Sequence, residues 1–531
     1  MQHGIQNCVS EWAHHSGKAY ADPFNEVELD VLFTDPRGLE HRVPAFWAGG
    51  QTWRVRYSSQ LVGRQTYRTI CSDQDNPDLH GQVGEIEITP YEGDNPLLTH
   101  GALRVAANRR YLEHADGTPF FWLGDTWWLS LCRRLRWPGD FKELVADRVQ
   151  KGFNVVQLVA GLFPDQAGFD ERGANEAGFP WEPDYARINP AFFDMADLRL
   201  DWLVAQGVMP CLLGCWGYYV LWLGVDKMKQ HWRYLVARYG AYPLVWCLAG
   251  EGIMSWYLSP DRTADSARQK DAWTEVARYV RELDPYHRLI TIHPTVSARD
   301  QVHDDSLLDF DMLQTGHGDR RSMKPTVDHV TAARIRTPVM PVINGEVTYE
   351  GICGQNREEV VRYMFWASVL SGTCGHTYGA NGIWQVNREE QPYGPSPHGT
   401  GWGDTPWREA AQLPGSGQLG LAGRLLKRYE WWRFEPHQEW VDAPRTESDY
   451  EFPFAAGIPG EVRLVYIPVA RPAGALVHGL ERDIAYRAYY VNVLDGTETD
   501  LGRVEPDEAG NWQSPKTHIR QDWVLVLERA D

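Results

Sequence analysis

Leu244-Val245-Trp246-Cys247-Leu248-Ala249-Gly250-Glu251 is an apolar run of strand length that stops at a glycine followed by a glutamate. Pro341-Val342-Ile343-Asn344-Gly345-Glu346 repeats this pattern further along the chain. A strand of a parallel sheet that is covered on both faces reads as a continuous apolar run. The residue after such a strand lies at the mouth of the barrel or sheet, where these folds carry their active sites. The two segments therefore predict two glutamates at the same end of a parallel sheet.

A pattern of strand, loop and helix recurs across residues 98–430. Eight apolar segments are predicted as its strands: 120–123, 153–159, 208–213, 244–249, 289–292, 310–314, 339–343 and 374–378. Helix signals lie between them, because Asn189 and Pro190 open a helix that Gly207 closes, and Asn356 with Glu359 forms a capping-box pattern. Eight strand–helix units predict a (β/α)8 TIM barrel. A doubly wound open sheet is the alternative, and no glycine-rich dinucleotide or phosphate-binding motif supports it.

Short alternating strands flank the predicted barrel on both sides. Residues 27–33, 53–57 and 84–88 alternate between apolar and polar side chains, with turn residues between them, and predict an N-terminal β-sandwich over residues 1–97. Strands at 462–467 and 523–527, with another at 488–493, predict a C-terminal β-sandwich over residues 431–531. The fold class is therefore α/β, with a catalytic barrel at residues 98–430 between two β-sandwich domains.

The composition limits the partners and the compartment. The 531 residues carry a formal charge of −19, which argues against nucleic acid and against an anionic membrane surface. No apolar run approaches the length of a membrane span. The eight cysteines are scattered without a CxxC motif, so we expect neither a disulfide framework nor a zinc site. No signal peptide is recognised at the N-terminus, so a cytoplasmic protein is expected, with a secreted protein that has lost its leader as the alternative.

A pair of glutamates at the mouth of one barrel indicates glycoside hydrolysis. A retaining glycosidase needs one protonated carboxyl group to donate to the leaving oxygen and one carboxylate to attack the anomeric carbon. We assign Glu251 as the general acid/base and Glu346 as the nucleophile. The alternative interpretation is that both glutamates are surface loop residues or ion-pair partners.

Other predicted strand ends carry polar and aromatic side chains of the kinds that bind sugars. Hydrogen-bonding groups match the sugar hydroxyls, and flat rings match its apolar face. For each aromatic residue the alternative is packing in the core. The candidate substrate-binding residues are Asp125, Trp127, Trp128, Gln157, Trp216, His293, Gln314, His317, Asn344, Tyr378, Asn381 and Trp384.

Motifs of competing chemistries are missing from the sequence. The predicted first strand lacks the HxH of metal-dependent amidohydrolases, and neither HExxH nor GxSxG occurs. No motif calls for a nucleotide, flavin or pyridoxal group. We therefore expect an enzyme that needs no metal and no cofactor.

Five segments of the predicted barrel give the chain a family resemblance. They are residues 121–128 (FWLGDTWW), 152–157 (GFNVVQ), 314–317 (QTGH), 344–346 (NGE) and 378–385 (YGANGIWQ). In these segments the chain resembles the apiosidase-like glycoside hydrolases, whose barrel belongs to the clan of retaining (β/α)8 glycosidases. The family arrangement also has an N-terminal β-sandwich and a C-terminal β-domain of the collagen-binding type.

The resemblance implies an exo-acting, retaining glycosidase. Its acid/base follows the fourth strand and its nucleophile follows the seventh, which are the positions of Glu251 and Glu346. The wider clan often carries Asn before the acid/base, where it can bind the sugar 2-hydroxyl, whereas this chain has Gly250. The partner of that hydroxyl is therefore unassigned, and Asn344 is one candidate.

The leading hypothesis is a glycoside hydrolase that cleaves a terminal pentofuranose or hexopyranose from an oligosaccharide or glycoside by double displacement. One alternative is a non-catalytic carbohydrate-binding or adhesion protein, suggested by the flanking β-domains and by the 24 tryptophans. Another is a lyase or a transglycosylase on the same barrel. The flanking domains leave three roles open, which are to bind glycan, to close the active-site cleft or to mediate a dimer, so a homo-oligomer stays open as well.

Overall fold

Eight parallel strands form the centre of the protein in the computed structural model, which describes residues 1–444, 446, 448–469, 471, 473–517 and 519–530. In chain order they are β1 Trp122–Thr126, β2 Val155–Val159, β3 Met209–Leu213, β4 Val245–Cys247, β5 Ile290–Thr291, β6 Asp311–Gln314, β7 Val342–Glu346 and β8 Gly375–Tyr378. The strands pair in the order β5-β4-β3-β2-β1-β8-β7-β6. The predicted parallel strands are confirmed, although β1 and β7 lie further along the chain than predicted.

Hydrogen bonds bridge the remaining gap between β5 and β6, one of them from the backbone nitrogen of Ile290 to Asp309 Oδ2 at 2.7 Å. The backbone nitrogen of Asp309 donates to the carbonyl of Ile290 at 2.8 Å. The hydroxyl of Thr291 donates to the carbonyl of Phe310 at 3.2 Å. The sheet is therefore a nearly closed barrel, and its carboxyl-terminal strand ends meet at one mouth.

Helices surround this barrel. They are α1 Gly139–Lys151, α2 Pro190–Ala205, α3 Tyr219–Leu223, α4 Val225–Tyr239, α5 Arg262–Leu283, α6 Met323–Ile335, α7 Glu358–Leu370, α8 Trp407–Ala411 and α9 Pro414–Leu426. Short helices also occur at Pro23–Glu26 and Pro96–Thr99. No helix in the described part of the chain is long and apolar enough to cross a membrane.

Two details of the helical layer differ from the prediction. Asn189 caps α2 as expected, since its side chain accepts a hydrogen bond from Ala191. The predicted capping box of α7 is wrong. The helix begins at Glu358 without a side-chain cap, and Asn356, whose φ is 60°, lies outside it. The β5–β6 connection contains only 3-10 turns among the described residues, at Ala298–Asp300 and Asp305–Leu307. The sequence of this β5–β6 connection does not supply the apolar face that a barrel helix needs.

Sheets of mostly antiparallel strands lie on either side of the barrel, as predicted, and the one parallel pair among their described strands joins Gln2–Ile5 to Val83–Thr89. The N-terminal part has a five-stranded sheet of Gln2–Ile5, Leu29–Thr34, Glu40–Pro44, Gly63–Cys71 and Val83–Thr89, and a three-stranded sheet of Ser10–His15, Phe46–Trp47 and Thr52–Tyr57. A small sheet of Leu103–Val105, Leu112–His114 and Pro119–Phe120 precedes β1. The C-terminal part has a six-stranded sheet of Glu435–Pro436, Phe454–Ile458, Val462–Ile467, Tyr486–Asn492, Glu498–Arg503 and Trp523–Arg529, and a pair of Leu476–Val477 and Trp512–Gln513.

A buried arginine–aspartate contact fixes each flanking part to the barrel. On the N-terminal side, Arg56 reaches Asp197 of α2 at 2.5 Å, and Arg238 of α4 reaches the same carboxylate at 2.7 Å. On the C-terminal side, Arg362 of α7 makes two hydrogen bonds to Asp522, at 2.6 and 2.8 Å. A buried charge that loses its partner is strongly destabilising, so these contacts hold the three parts together.

We predict that Asp522→Ala lowers the free energy of unfolding by about 3–5 kcal/mol, because it leaves the Arg362 guanidinium buried and unpaired. Urea unfolding followed by tryptophan fluorescence measures the change. Asp500→Ala is the matched control, since Asp500 pairs with Arg487 on the surface, where both side chains are more than half exposed. The control should leave the unfolding curve unchanged. Equal curves for the two variants would contradict the role of the Arg362–Asp522 contact.

Candidate active site

Glu251 and Glu346 lie side by side at the carboxyl-terminal mouth of the barrel. Glu346 is the last residue of β7, and Glu251 lies in the loop after β4. Gln314, at the end of β6, donates from Nε2 to Glu251 Oε1 at 2.9 Å and to Glu346 Oε1 at 3.0 Å. Because one nitrogen reaches both oxygens, these oxygens are no further apart than about 5.9 Å, an upper limit that includes the separation of about 5–5.5 Å in retaining glycosidases.

A β-bulge at Gly345 turns Glu346 into the barrel mouth. Along β7, Asn344 pairs with Leu313, but the next pair joins Glu346 to Gln314, so Gly345 is an extra residue. The bulge breaks the strict alternation of side chains along the strand. A Cβ atom at Gly345 would lie 2.4 Å from Met312 Cγ, so the bulge requires glycine here.

Asn344 consequently points away from Glu346. Its Nδ2 donates to Ser368 Oγ of α7 at 3.0 Å and lies 3.5 Å from Thr315 Oγ1. Asn344 therefore belongs to the layer between strand and helix. This placement argues against Asn344 as the replacement partner of the sugar 2-hydroxyl.

The backbone at Gly250 and Glu251 explains why a glycine precedes Glu251. Glu251 has a φ of 49°, in the left-handed region that costs a non-glycine residue on the order of 1 kcal/mol. A Cβ atom at Gly250 would lie 2.1 Å from Cε3 of Trp216. The Trp216 indole therefore occupies the space that any larger residue at position 250 would need.

Two histidines give the two glutamates different protonation states. His317 Nε2 lies 2.7 Å from Glu346 Oε1, and His293 Nε2 lies 3.1 Å from Glu346 Oε2. Burial alone would raise the pKa of Glu346, but the two imidazoles outweigh it and hold this pKa well below its usual range. Burial raises the pKa of Glu251 to about 7, and the negative charge of Glu346 adds to the shift. At neutral pH one carboxyl group is therefore ionised while the other can carry a proton.

Aromatic side chains enclose the ionised glutamate, whose own exposure is 4%. The Trp128 ring lies 5.1 Å from His293 and 5.4 Å from Trp216. Trp128 Nε1 donates to the Tyr349 hydroxyl at 3.1 Å, and the Tyr349 ring lies 4.4 Å from His317. We name Trp128, Trp216, Tyr349 and Trp384 the inner aromatic group, because the Trp384 ring also lies 6.3 Å from Tyr349.

Several polar atoms around this group have no protein partner. Within the described residues, the indole nitrogens of Trp216 and Trp384, Gln314 Oε1 and the Nδ1 atoms of His293 and His317 are buried without a hydrogen bond. Buried polar groups normally find partners. Hydroxyl groups of a bound sugar match this requirement.

Asp125 and Trp127 do not reach the glutamates. Asp125 lies inside β1 rather than after it, and its Oδ2 accepts from Arg148 Nε at 2.6 Å and from Trp127 Nε1 at 2.7 Å. The Trp127 ring packs edge-on against Phe141 of α1, with 6.0 Å between the ring centroids. The sequence-based expectation of a barrel-mouth position is wrong for both, because β1 extends further than predicted and both side chains join β1 to α1.

Tyr378, Asn381 and Gln157 make hydrogen bonds to other residues of the protein and not to the two glutamates. The Tyr378 hydroxyl donates to Glu350 Oε2 at 2.5 Å, away from the two glutamates. Asn381 Oδ1 accepts from Gln385 in its own loop. Gln157 Nε2 donates to the carbonyl of Gly345 at 2.7 Å and so holds the bulge beneath Glu346.

Sequence reasoning missed Tyr349. Tyr349 lies shortly after Glu346 in the loop that follows β7. This position near the end of a predicted strand is the only signal in the sequence that points to Tyr349.

Residues 106–433 match the family described as "Apiosidase-like, catalytic domain". The chain belongs to this family. The apiosidase-like chain is therefore a glycoside hydrolase, as the sequence predicted. Residues 8–72 match a domain of unknown function, DUF5060.

Solved structures share the fold of this apiosidase-like protein. A structure described as a glycoside hydrolase has a TM-score of 0.67 and 23% identity, and the match covers 82% of this chain and 98% of the other. A glycoside hydrolase family 5 protein from Bacteroides vulgatus ATCC 8482 has a TM-score of 0.65 and 23% identity, with 82% and 95% of the two chains covered. A further protein from that organism matches over 100% of both chains, with a TM-score of 0.72 and 17% identity. No curated protein matches the chain significantly.

We predict that Gly250→Ala disrupts the site by forcing Trp216 out of position. Overpacking of this kind costs about 1–3 kcal/mol of folding free energy. Thermal unfolding measures this cost, and the near-ultraviolet circular dichroism of the indoles reports the movement. Gly417→Ala is the matched control, because Gly417 lies in α9 and a Cβ atom there would meet nothing within 4 Å. Unchanged stability and spectrum in Gly250→Ala would contradict the proposed contact.

Proposed function

We propose that the protein is an exo-acting, retaining glycoside hydrolase in which Glu251 is the general acid/base and Glu346 is the nucleophile. The observation that carries this proposal is the sharing of Gln314 Nε2 by both carboxyl groups, which limits their nearest oxygens to about 5.9 Å. Retaining enzymes separate the two carboxyl groups by about 5–5.5 Å, whereas inverting enzymes leave about 6.5–9.5 Å for a water molecule.

In the first step, the Glu346 carboxylate attacks the anomeric carbon of the terminal sugar. The bond from this carbon to the glycosidic oxygen breaks, and Glu251 transfers its proton to that oxygen. The leaving group departs as an alcohol, and the sugar remains as an ester of Glu346. The contacts from His293 and His317 support this step, because they keep Glu346 ionised while Glu251 holds a proton.

In the second step, Glu251 acts as the base. It removes a proton from a water molecule, whose oxygen attacks the anomeric carbon and displaces Glu346. The released sugar keeps its original anomeric configuration, because each of the two displacements inverts it once. Glu251 is then protonated again, and Glu346 is again a carboxylate.

The inner aromatic group supports exo action on a terminal sugar. Trp128, Trp216, Tyr349 and Trp384 surround the buried Glu346 carboxylate, so the site is closed on the side of the nucleophile. Only the end sugar of a chain fits such a closed site. Membership of the apiosidase-like family favours a pentofuranose as this sugar, and a hexopyranose is the second candidate.

The test is hydrolysis of a panel of aryl pentofuranosides and hexopyranosides by the wild type and by Glu346→Gln. We expect the wild type to release the phenol from one sugar class and the variant to lose at least about a thousandfold in kcat/KM, because an amide cannot attack the anomeric carbon. Glu350→Gln is the matched control, since Glu350 is a buried glutamate of the same loop that accepts from Tyr378 and Gly415. Equal activity of wild type and Glu346→Gln would overturn the assignment, and an inverted product anomer in the proton NMR spectrum would overturn the retaining mechanism.

The pH dependence of kcat/KM gives an independent prediction. Glu251 must be protonated in the first step, and its pKa is raised to about 7. We therefore expect kcat/KM to fall about tenfold per pH unit above pH 7, as Glu251 loses its proton. Initial rates on the best aryl glycoside between pH 4 and pH 9, about the range over which carboxyl groups and histidines titrate, measure this profile. A rate that rises through pH 8 would contradict the role of Glu251 as the acid.

A further inference from the structure

A cavity of about 220 Å³ lies between the N-terminal part of the chain and the end of the barrel that is opposite the two glutamates. Its barrel side includes Tyr286 and Arg288, which precede β5 at the amino-terminal end of that strand. Its N-terminal side includes Asp35, Arg37 and Ser58, which lie in turns and loops at the ends of β-strands. We name the space between these five residues the base cavity. Since active sites of such barrels lie at the carboxyl-terminal strand ends, the base cavity is not part of the catalytic mouth.

Arg288 brings an unpaired guanidinium group to the base cavity. The residue is only 7% exposed, and its side chain donates from Nε to the carbonyl of Gly240 at 3.0 Å and from Nη2 to the carbonyl of Ala241 at 3.3 Å. Within the described residues, Nη1 has no hydrogen-bond partner and no carboxylate forms an ion pair with the group. Asp284 accepts from the backbone nitrogen of Arg288 instead. Burial lowers the pKa of Arg288, although the charge of Asp284 opposes this shift. A buried arginine normally has an anionic partner, and here that position is open.

Ser58 is a second polar side chain that lacks a partner in the base cavity. It is 8% exposed and lies on the N-terminal side, across the interface from Arg288. Its hydroxyl makes no hydrogen bond to any residue that the structure describes. Buried hydroxyl groups are normally hydrogen-bonded. Two groups that are more than nine-tenths buried, one from each side of the interface, are thus available to a ligand.

The acidic group of the base cavity is already paired. Asp35 Oδ2 accepts from Arg37 Nη2 at 3.2 Å and lies 3.4 Å from His41 Nε2. Asp35 Oδ1 accepts from the backbone nitrogens of Arg37 at 2.8 Å and Leu39 at 3.0 Å. The two arginines that line the cavity face this single carboxylate, so the charge of Arg288 is left in excess. The ligand that complements this charge is an anion.

We propose that the base cavity binds a sugar acid, which is a carboxylate of monosaccharide size that also carries hydroxyl groups. The Arg288 guanidinium offers Nη1 to a carboxylate oxygen in a charge-assisted hydrogen bond. The Ser58 hydroxyl matches a hydroxyl group of the ligand. The Tyr286 ring, whose centre lies 5.2 Å from the guanidinium carbon of Arg288, adds a flat apolar surface of the kind that packs on sugars.

The size of the base cavity limits the ligand. Sites for drug-sized molecules have volumes of about 300–1,000 Å³, and the base cavity is smaller than these. It accommodates about one sugar unit, and it exceeds the size of an inorganic ion. A glycan chain could therefore place only its terminal acidic sugar in the cavity.

Occupation of the base cavity has a consequence for stability. The ligand contacts residues of the N-terminal part and of the barrel, whose positions next to each other exist only in the folded protein. Binding therefore raises the midpoint of thermal unfolding. Because the cavity lies at the opposite end of the barrel from Glu251 and Glu346, the sugar acid does not compete with glycoside hydrolysis.

The experiment is isothermal titration calorimetry of the full chain at constant ionic strength. The probes are sodium glucuronate, sodium galacturonate and sodium gluconate, with glucose and inorganic phosphate for comparison. We expect at least one sugar acid to bind saturably at one site and to raise the midpoint of thermal unfolding. Glucose should bind at least about tenfold more weakly, because it has no carboxylate for Arg288.

Variants locate the binding in the base cavity. We expect Arg288→Lys to weaken the best sugar acid at least about tenfold, because lysine lacks the planar fork of donors, and Ser58→Ala to weaken it about threefold or more. Ser58→Ala removes no hydrogen bond within the protein, so it decides the test even where Arg288→Lys does not fold. Arg110→Lys is the matched control, since Arg110 also donates to a carbonyl, that of Arg334 at 2.8 Å, and does not line the cavity.

The outcomes also separate this site from the active site. Absence of saturable binding by all three sugar acids overturns the proposal, as does equal binding of glucose or of phosphate. Unchanged affinity in Ser58→Ala, with competitive inhibition of hydrolysis by the sugar acid, would place the ligand at the glutamates and overturn it as well. Trigalacturonate identifies the source, because affinity at least equal to that of galacturonate indicates a glycan end, and weaker affinity indicates a free sugar acid. A protein that binds a sugar acid in this way but hydrolyses no glycoside overturns the proposed function and leaves the base cavity intact.

Discussion

Two carboxyl groups that accept hydrogen bonds from one amide nitrogen cannot both carry a charge at low cost, and this constraint organises the whole site. The side-chain amide of Gln314 donates a hydrogen bond to Glu251 and another to Glu346. His293 and His317 contact only one of them, so the negative charge settles on Glu346. The asymmetry of the histidines thus gives two chemically identical side chains different protonation states, which the proposed roles of acid and nucleophile require.

The backbone around the pair serves this arrangement. The bulge at Gly345 turns Glu346 inward, and Gln157 holds the bulge through the Gly345 carbonyl. In the loop after β4, Gly250 packs against the Trp216 indole, and Glu251 beside it has a left-handed backbone conformation. Each glutamate therefore follows a glycine for a steric reason, which is close approach to Met312 in one case and to Trp216 in the other. Strain of this kind persists where the surrounding packing fixes the backbone.

Sequence patterns predicted the barrel because its strands are continuous apolar runs, and they predicted the glutamates because each run ends at Gly-Glu. They failed where a local departure changes the direction of a side chain. Asn344 and Glu346 should share one face of a regular strand, yet the bulge separates them. Asp125 was expected after β1 but lies within it, paired with Arg148. Tyr349 comes from a loop, whose conformation depends on contacts that are distant in sequence.

The most direct measurement is covalent labelling with a 2-deoxy-2-fluoro glycoside of the accepted sugar, carrying a good leaving group. The fluorine slows the second displacement, so the sugar ester accumulates on the nucleophile. Proteolysis and mass spectrometry then locate the added mass. Our account predicts the label on Glu346, with loss of activity in step with its formation. A label on Glu251, or on any other residue, would contradict the assignment of charge and role from which the mechanism follows.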